Sequence, residues 1–280
     1  MKVSIIIPSY NEHDVISDCL RSLWEQSYKG LEIIVVDDGS SDKTWEVLSR
    51  LKMKNKKLNI FRKVHEGPGP ARNLGAEKAT GKILVFVDSD MTFESSFIEK
   101  LAGPIVEGKT KGTFPLDEKV ANWSNWWARM WNLETSGSMT DNRLPDNYPP
   151  KGPVFRAILK SEFEKVGGFD PIGYNDDWTL ATKLGYKATG VRGAVVYHKN
   201  PESLGEVWRQ AFWVGRRQYK LGALGKIVAL VRASLPVSLF VALYKSIRSI
   251  NPGIFVFKIV YDLSIFLSLL TYPLDPSHAR

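Results

Sequence analysis

At 280 residues, with 44% hydrophobic and 11% aromatic side chains, the chain suits one large domain or one domain plus an appendage, and its composition excludes long-range disorder. Its one cysteine, Cys19, excludes an internal disulfide framework and a cysteine-based zinc site, and fits a reducing compartment. The net charge of +8 favours anionic partners such as nucleotides, pyrophosphates or lipid headgroups, while the scatter of the basic residues argues against nucleic acid.

The chain opens on a short β-branched run at residues 3–7, the pattern of a buried parallel strand and too short for a signal-peptide core. The catalytic part is therefore expected in the cytoplasm. Val15, Ile16, Cys19, Leu20, Leu23 and Trp24 then recur at helical spacing. Residues 31–36 form a second strand, 45–51 a helix, 58–61 a third strand, 71–79 a helix, and 83–87 a fourth strand. This alternation predicts an α/β fold with a mostly parallel sheet and helices on both faces, whose ligands bind outside the carboxyl ends of the strands. Residues 103–150 are less regular and hold Trp123, Trp126, Trp127 and Trp131 at helical spacing. Beyond them come a strand at 152–157, helices at 161–166 and 176–184, a strand at 191–198 and an amphipathic helix at 203–221. Composition shifts near residue 225, and two strongly apolar stretches follow at 227–247 and 254–274. The expected division is a catalytic domain over 1–224 and a hydrophobic helical tail over 225–280.

Three turns at predicted carboxyl ends carry the chemistry. Asp88-Ser89-Asp90 ends the fourth strand, and two carboxylates one residue apart present hard oxygens to Mg²⁺ or Mn²⁺. Asp37-Asp38-Gly39 follows the second strand, where a carboxylate can accept from a nucleobase ring N–H. After the first strand, Tyr10 can stack on a base, and Asn11 and Glu12 can bind base or ribose. Each turn read alone is an ordinary turn or helix cap; together they define a crevice.

Several blocks resemble the successive motifs of family 2 glycosyltransferases. They are Ser4-Ile5-Ile6-Ile7-Pro8-Ser9-Tyr10-Asn11-Glu12, Ile33-Ile34-Val35-Val36-Asp37-Asp38-Gly39-Ser40-Ser41-Asp42, Gly69-Pro70-Ala71-Arg72-Asn73-Leu74-Gly75-Ala76 and Val85-Phe86-Val87-Asp88-Ser89-Asp90. Gly167-Gly168-Phe169-Asp170 and Asn175-Asp176-Asp177-Trp178-Thr179-Leu180 continue the resemblance, which covers roughly residues 3–220 in order. It implies a GT-A fold, inversion at the anomeric carbon, a UDP-, GDP- or dTDP-sugar donor and a Mn²⁺ or Mg²⁺ cofactor. Carried over by position, Pro8, Tyr10, Asn11, Glu12 and Asp38 contact the nucleoside, Arg72 lies near base or phosphates, Asp88 and Ser89 face ribose or sugar, and Asp90 binds the metal with Asp88 beside it. His198 stands where some related enzymes place a further metal ligand. Asp177 matches the general base and Asp176 is the alternative, because the family usually has Glu before that Asp. Processive members carry Gln-x-x-Arg-Trp, which neither 209–213 nor 216–219 matches, so addition of one sugar is expected.

Other classes fit less well. A sugar nucleotidyltransferase needs a Gly-rich loop with a basic residue after the first strand, which Ser9-Tyr10-Asn11-Glu12 lacks. A catalytically inactive membrane scaffold is at odds with Asp38, Asp90 and Asp177 together. The apolar tail, preceded by Arg216, Arg217, Lys220 and Lys226, points to the cytoplasmic face of a membrane and to a glycan or lipid-linked acceptor.

Overall fold

Strand β1 (Val3–Ser9) is buried along its whole length, and its odd and even residues serve two separate cores. In the computed structural model, residues 1–271 are described apart from Lys56, Ser138, Met139, Asp146, 172–177, Arg217, Gln218, Lys220 and Ile250. Val3, Ile5 and Ile7 pack against helix α1 (Ile16–Trp24) and, with Leu48 of α2 (Thr44–Lys54) and Phe97, Ile98 and Leu101 of α4 (Phe97–Val106), form one core. Ile6 packs on the other face against Ala71 and Ala76 of α3 (Pro68–Lys78). A strand whose two faces are both covered is apolar on both, which is why Ile5, Ile6 and Ile7 show no alternation, while the buried Ser4 is hydrogen-bonded to Glu32. Gly75 lets α3 close on β1, since a Cβ there would lie 2.5 Å from Ile6 Cγ2.

Strands β2 (Leu31–Asp37), β3 (Leu58–Arg62) and β4 (Ile83–Phe86) join β1 in the order β3-β2-β1-β4, all parallel. The register pairs Ser9 with Asp37, so the turns after β1 and β2 emerge side by side. Beyond β4 the sheet becomes antiparallel. It continues through β8 (Ala157–Leu159), β6 (Gly112–Val120), β9 (Ala188–His198) and β5 (Met91–Phe93), with β7 (Lys151–Gly152) also on β9. The expected α/β sheet is thus parallel in its first half and mixed as a whole. The strand expected at 152–157 is instead the two short strands β7 and β8, and β5 and β6 carried too little regular patterning to be read from the sequence. Helices α6 (Lys160–Lys165) and α7 (Thr179–Leu184) complete the second core through Phe163 and Leu180.

Two compact units divide the chain. The first contains 1–119 and 142–198, and the second contains 120–141 and 199–279. The expected tail therefore belongs to a unit that also takes in α5 (Trp126–Ser136) and α8 (Leu204–Gly215). In that unit α9 (Gly222–Arg232) and α10 (Leu235–Ser249) precede α11 (Gly253–Thr271), which packs along α8 and α10. Helix α11 is long and apolar enough to cross a membrane, whereas α9 and α10 reach that length only as a pair bent by 60°. Trp131 stacks edge-on with Tyr261 at 5.5 Å, so this tryptophan belongs to the packing of the second unit.

Candidate active site

The first unit gathers its acids at the carboxyl ends of β1, β2 and β4. Asn11, just past β1, adopts φ 55°, a left-handed conformation tolerated by Asn. Its Oδ1 accepts from the backbone N–H of Ser41 at 2.9 Å and its own N–H donates to Ser40 Oγ at 2.9 Å. Asn11 therefore ties the first turn to the second. Glu12 donates its N–H to Thr44 Oγ1 at 2.8 Å, and its carboxyl is pushed up to about 8 by burial and by the charges of Asp90, Asp88 and Asp42.

Asp38 is buried and held by donors on every side. Gly67 N–H donates at 2.7 Å, Glu66 N–H at 3.1 Å and Lys63 Nζ at 3.3 Å, while His65 Nδ1 lies 2.8 Å away. Gly67 has φ 94°, which only glycine adopts readily, and that conformation aims its N–H at the carboxylate as α3 begins. Tyr10 is exposed and stacks on His65 with ring centroids 4.0 Å apart. Sequence reasoning missed His65 and Lys63, because an isolated His in a polar loop carries no periodic signal.

Asp88 is clamped by two arginines. Arg72 Nη2 donates at 2.7 Å and Arg156 Nη1 at 3.1 Å. Burial opposes its ionisation, but the Arg156 and Arg72 charges outweigh it and hold Asp88 well below the usual carboxylate range. Arg72 thus has its guanidinium on Asp88, and Pro8 and Ser89 are buried. Arg156 was not anticipated; it immediately precedes β8, whose antiparallel pairing with β4 brings it to Asp88.

Asp90 begins the short excursion into β5. The β5–β9 register pairs Met91 with His198, and His198 Nε2 stands 2.9 Å from Asp90 Oδ2. The other ring nitrogen faces Glu118 Oε1 at 3.3 Å, and Glu118 is paired with Arg143 at 3.1 Å. A carboxylate behind an imidazole orients the ring for a ligand on its far nitrogen. Burial and the neighbouring Asp88 charge push Asp90 up to about 6. Among the described residues no group of three or more His, Cys, Asp or Glu could by itself hold a metal ion. One carboxylate and one imidazole are donor types that a divalent cation such as Mn²⁺ would accept. Asp176 and Asp177 lie outside the described residues; α7 starts just beyond them at Thr179, whose Oγ1 accepts from Asp170 N–H at 3.2 Å.

A parallel α/β half-sheet with acidic turns at its carboxyl ends, extended by antiparallel strands that return a histidine to them, defines a GT-A architecture. The model of glycosyl transferase family 2 matches residues 4–167, and the chain belongs to that family. An uncharacterized glycosyltransferase of Rickettsia felis is 44% identical over 98 residues, 35% of this chain and 16% of the relative. Glycosyltransferase AglE of Haloferax volcanii is 28% identical over 242 residues, 80% of this chain and 75% of the relative. The chain thus spans a small part of some relatives and most of others. Among solved structures, the mannosyltransferase PcManGT from Pyrobaculum calidifontis in complex with GDP-Man and Mn²⁺ superposes with a TM-score of 0.61 at 18% identity, covering 99% of this chain and 88% of that one. S. aureus TarS 1–349 in complex with UDP-GlcNAc gives 0.55 at 16% identity, covering 98% and 92%. These likenesses establish the fold.

Proposed function

We propose that this protein transfers one sugar, with inversion, from a nucleotide-diphosphate sugar to an acceptor hydroxyl or phosphate, in glycan or glycolipid synthesis at the cytoplasmic face of a membrane. The observation that carries the proposal is the Asp90–His198 pair, 2.9 Å apart, beside an Asp88 already neutralised by Arg72 and Arg156. The pair offers a divalent cation one carboxylate oxygen and one imidazole nitrogen. Asp90 and His198 would hold a Mn²⁺ or Mg²⁺ ion there, which would supply Lewis-acid chemistry for the charge on the departing nucleotide diphosphate. The solved neighbours bound to GDP-Man with Mn²⁺ and to UDP-GlcNAc support a donor of this class.

The residues divide the work. Asp38, buried and fixed by the N–H groups of Glu66 and Gly67, shapes the pocket for the nucleoside, and Tyr10 with His65 forms the stacking wall. Asp88, held by its arginines, accepts hydrogen bonds from ribose or sugar hydroxyls, with Ser89 and Pro8 shaping the floor. Glu12 receives further donor hydroxyls. Asp177, or its neighbour Asp176, takes the proton of the acceptor hydroxyl as that oxygen attacks the anomeric carbon and the nucleotide diphosphate leaves. One displacement inverts the centre and needs no covalent intermediate.

The test is calorimetric titration of UDP, GDP and dTDP into the protein with and without Mn²⁺, followed by a donor screen for turnover. Saturable binding of one nucleotide only when the cation is present is expected. Metal-independent binding of equal strength for all three would sink the reading.

A further inference from the structure

Helix α10 is amphipathic the wrong way round for a helix bathed in water. The residues turned inward are Ser238, Ala242 and, half-buried, Lys245. Ser238 Oγ donates to Asp262 at 2.7 Å, and Lys245 Nζ donates to Glu134 at 2.7 Å. Leu235, Leu239, Phe240, Leu243, Tyr244 and Ile247 are exposed, at three- and four-residue steps along one face. Phe240 is 73% exposed and Ile247 69%. Helix α9 adds Leu224, Ile227, Val228 and Val231, all exposed, and buries none of its residues. An apolar face of this extent marks a partner that covers it.

Charge selects the partner. Between Glu206 and Asp262 the sequence has no acidic residue and nine basic ones. Exposed Arg232 and Arg248 stand at the two ends of α10. A second copy of the same face would bring like charges together, whereas anionic headgroups neutralise them.

Length and hydrogen bonding decide how the bilayer is met. Helices α9 and α10 have 11 and 15 residues, short of the roughly 20 that span a bilayer. Joined as one span they would bend by 60° with Arg232 at the break, near mid-depth. Lying flat, the same Arg232 reaches the headgroups. Helix α11 is long enough to span but is tied inside the second unit. Ser264 and Ser268 donate to the backbone carbonyls of Trp208 and Phe212 on α8 at 2.6 and 2.5 Å, and Lys258 Nζ binds Asp262 at 2.8 Å and Glu134 at 2.6 Å.

We infer that α9 and α10 lie in the plane of an anionic bilayer surface, with their apolar face sunk into one leaflet, and that α11 is the packed helix behind α10 and does not cross the membrane. This rests on the membrane setting proposed above and specifies its geometry. The test uses the full-length protein, floated with phosphatidylcholine vesicles with and without phosphatidylglycerol. Flotation only with phosphatidylglycerol, weakened by salt, is expected. The Phe240→Asp/Leu243→Asp variant should float about tenfold less or worse, while its melting temperature and its metal-dependent nucleotide binding stay unchanged. Alkaline carbonate should strip the parent protein from cell membranes. Equal flotation of variant and parent, or carbonate-resistant parent protein, overturns the in-plane placement. A lipid-free dimer that the variant splits overturns the bilayer as occupant. Flotation as expected with no nucleotide binding by the parent would support this inference while sinking the transferase reading.

Discussion

Two acidic clusters, one in each unit, have opposite electrostatics. In the second unit Glu134 and Asp262 are matched by cations: Lys245 and Lys258 both bind Glu134, and Lys258 also binds Asp262. Burial opposes the ionisation of Glu134, yet the Lys258 charge and the two lysine hydrogen bonds outweigh it and lower its proton affinity. In the first unit Glu12 is pushed up to about 8 by burial and the charges of Asp90, Asp88 and Asp42, and Asp90 to about 6, because burial and the Asp88 charge exceed what Arg143 and Arg156 supply. A buried cluster balanced by its own lysines holds a fold together. One left short of positive charge is where the proposed cation would sit. Asp88, with Arg72 and Arg156 on its two oxygens, and Asp38, with Lys63 beside it, are balanced acids among the described residues of the crevice.

The sharpest way to break the balanced cluster is Lys258→Met. It leaves Lys245 on Glu134 and removes the lysine from buried Asp262, and loss of one partner of a buried pair costs about 3–5 kcal/mol. A large drop in melting temperature is expected, and a shift of a degree or less would show that the network contributes little. The unbalanced cluster should respond in the other way. Asp90→Ala should fold normally, with turnover falling by about 10²-fold or more and metal-dependent nucleotide affinity lost. Unchanged metal-dependent affinity in a titration with Mn²⁺ would remove Asp90 from the metal site.

Asp177→Asn is expected to lose turnover by about 10²-fold or more while donor binding persists, since the base acts on the acceptor. An active Asp177→Asn beside a dead Asp176→Asn would move the role one residue. The smallest effect is a pH dependence of stability. Because Glu12 holds its proton up to about 8 when folded and only to its ordinary 4.5 when unfolded, unfolding releases a proton in that window and stability falls as pH rises through it. Glu12→Gln mimics the protonated form and should melt higher than the parent above pH 8, by on the order of 1 kcal/mol or more, with the gap closing towards pH 4.5. Parallel melting curves at every pH would show that Glu12 is not short of positive charge.

The sequence by itself determined whatever depends on neighbours in the chain. The apolar runs ending in Asp37-Asp38 and Asp88-Ser89-Asp90 are long enough to announce buried strands, and a strand flanked by helices on both faces places its acidic turns at one edge. Pro8, Tyr10, Asn11, Glu12, Asp38, Asp88, Ser89 and Asp90 were legible for that reason, whereas Arg72, on α3, and the metal role of His198 came from the family resemblance. Tertiary structure alone decided which distant groups meet them. His198 reaches Asp90 across 108 residues because β5 and β9 pair antiparallel in one register, and a slip of one residue would turn the imidazole to the opposite face of the sheet. Arg156 reaches Asp88, and Glu118 with Arg143 backs His198, through strands too short or too weakly patterned to announce themselves. The tail shows the same limit. Hydropathy marks both apolar stretches alike, but hydrogen bonds to α8 and the ion pairs of Glu134 and Asp262 make α11 an inner helix, while α10 keeps its apolar face outward. Composition records how apolar a segment is; only packing decides which face is covered by protein.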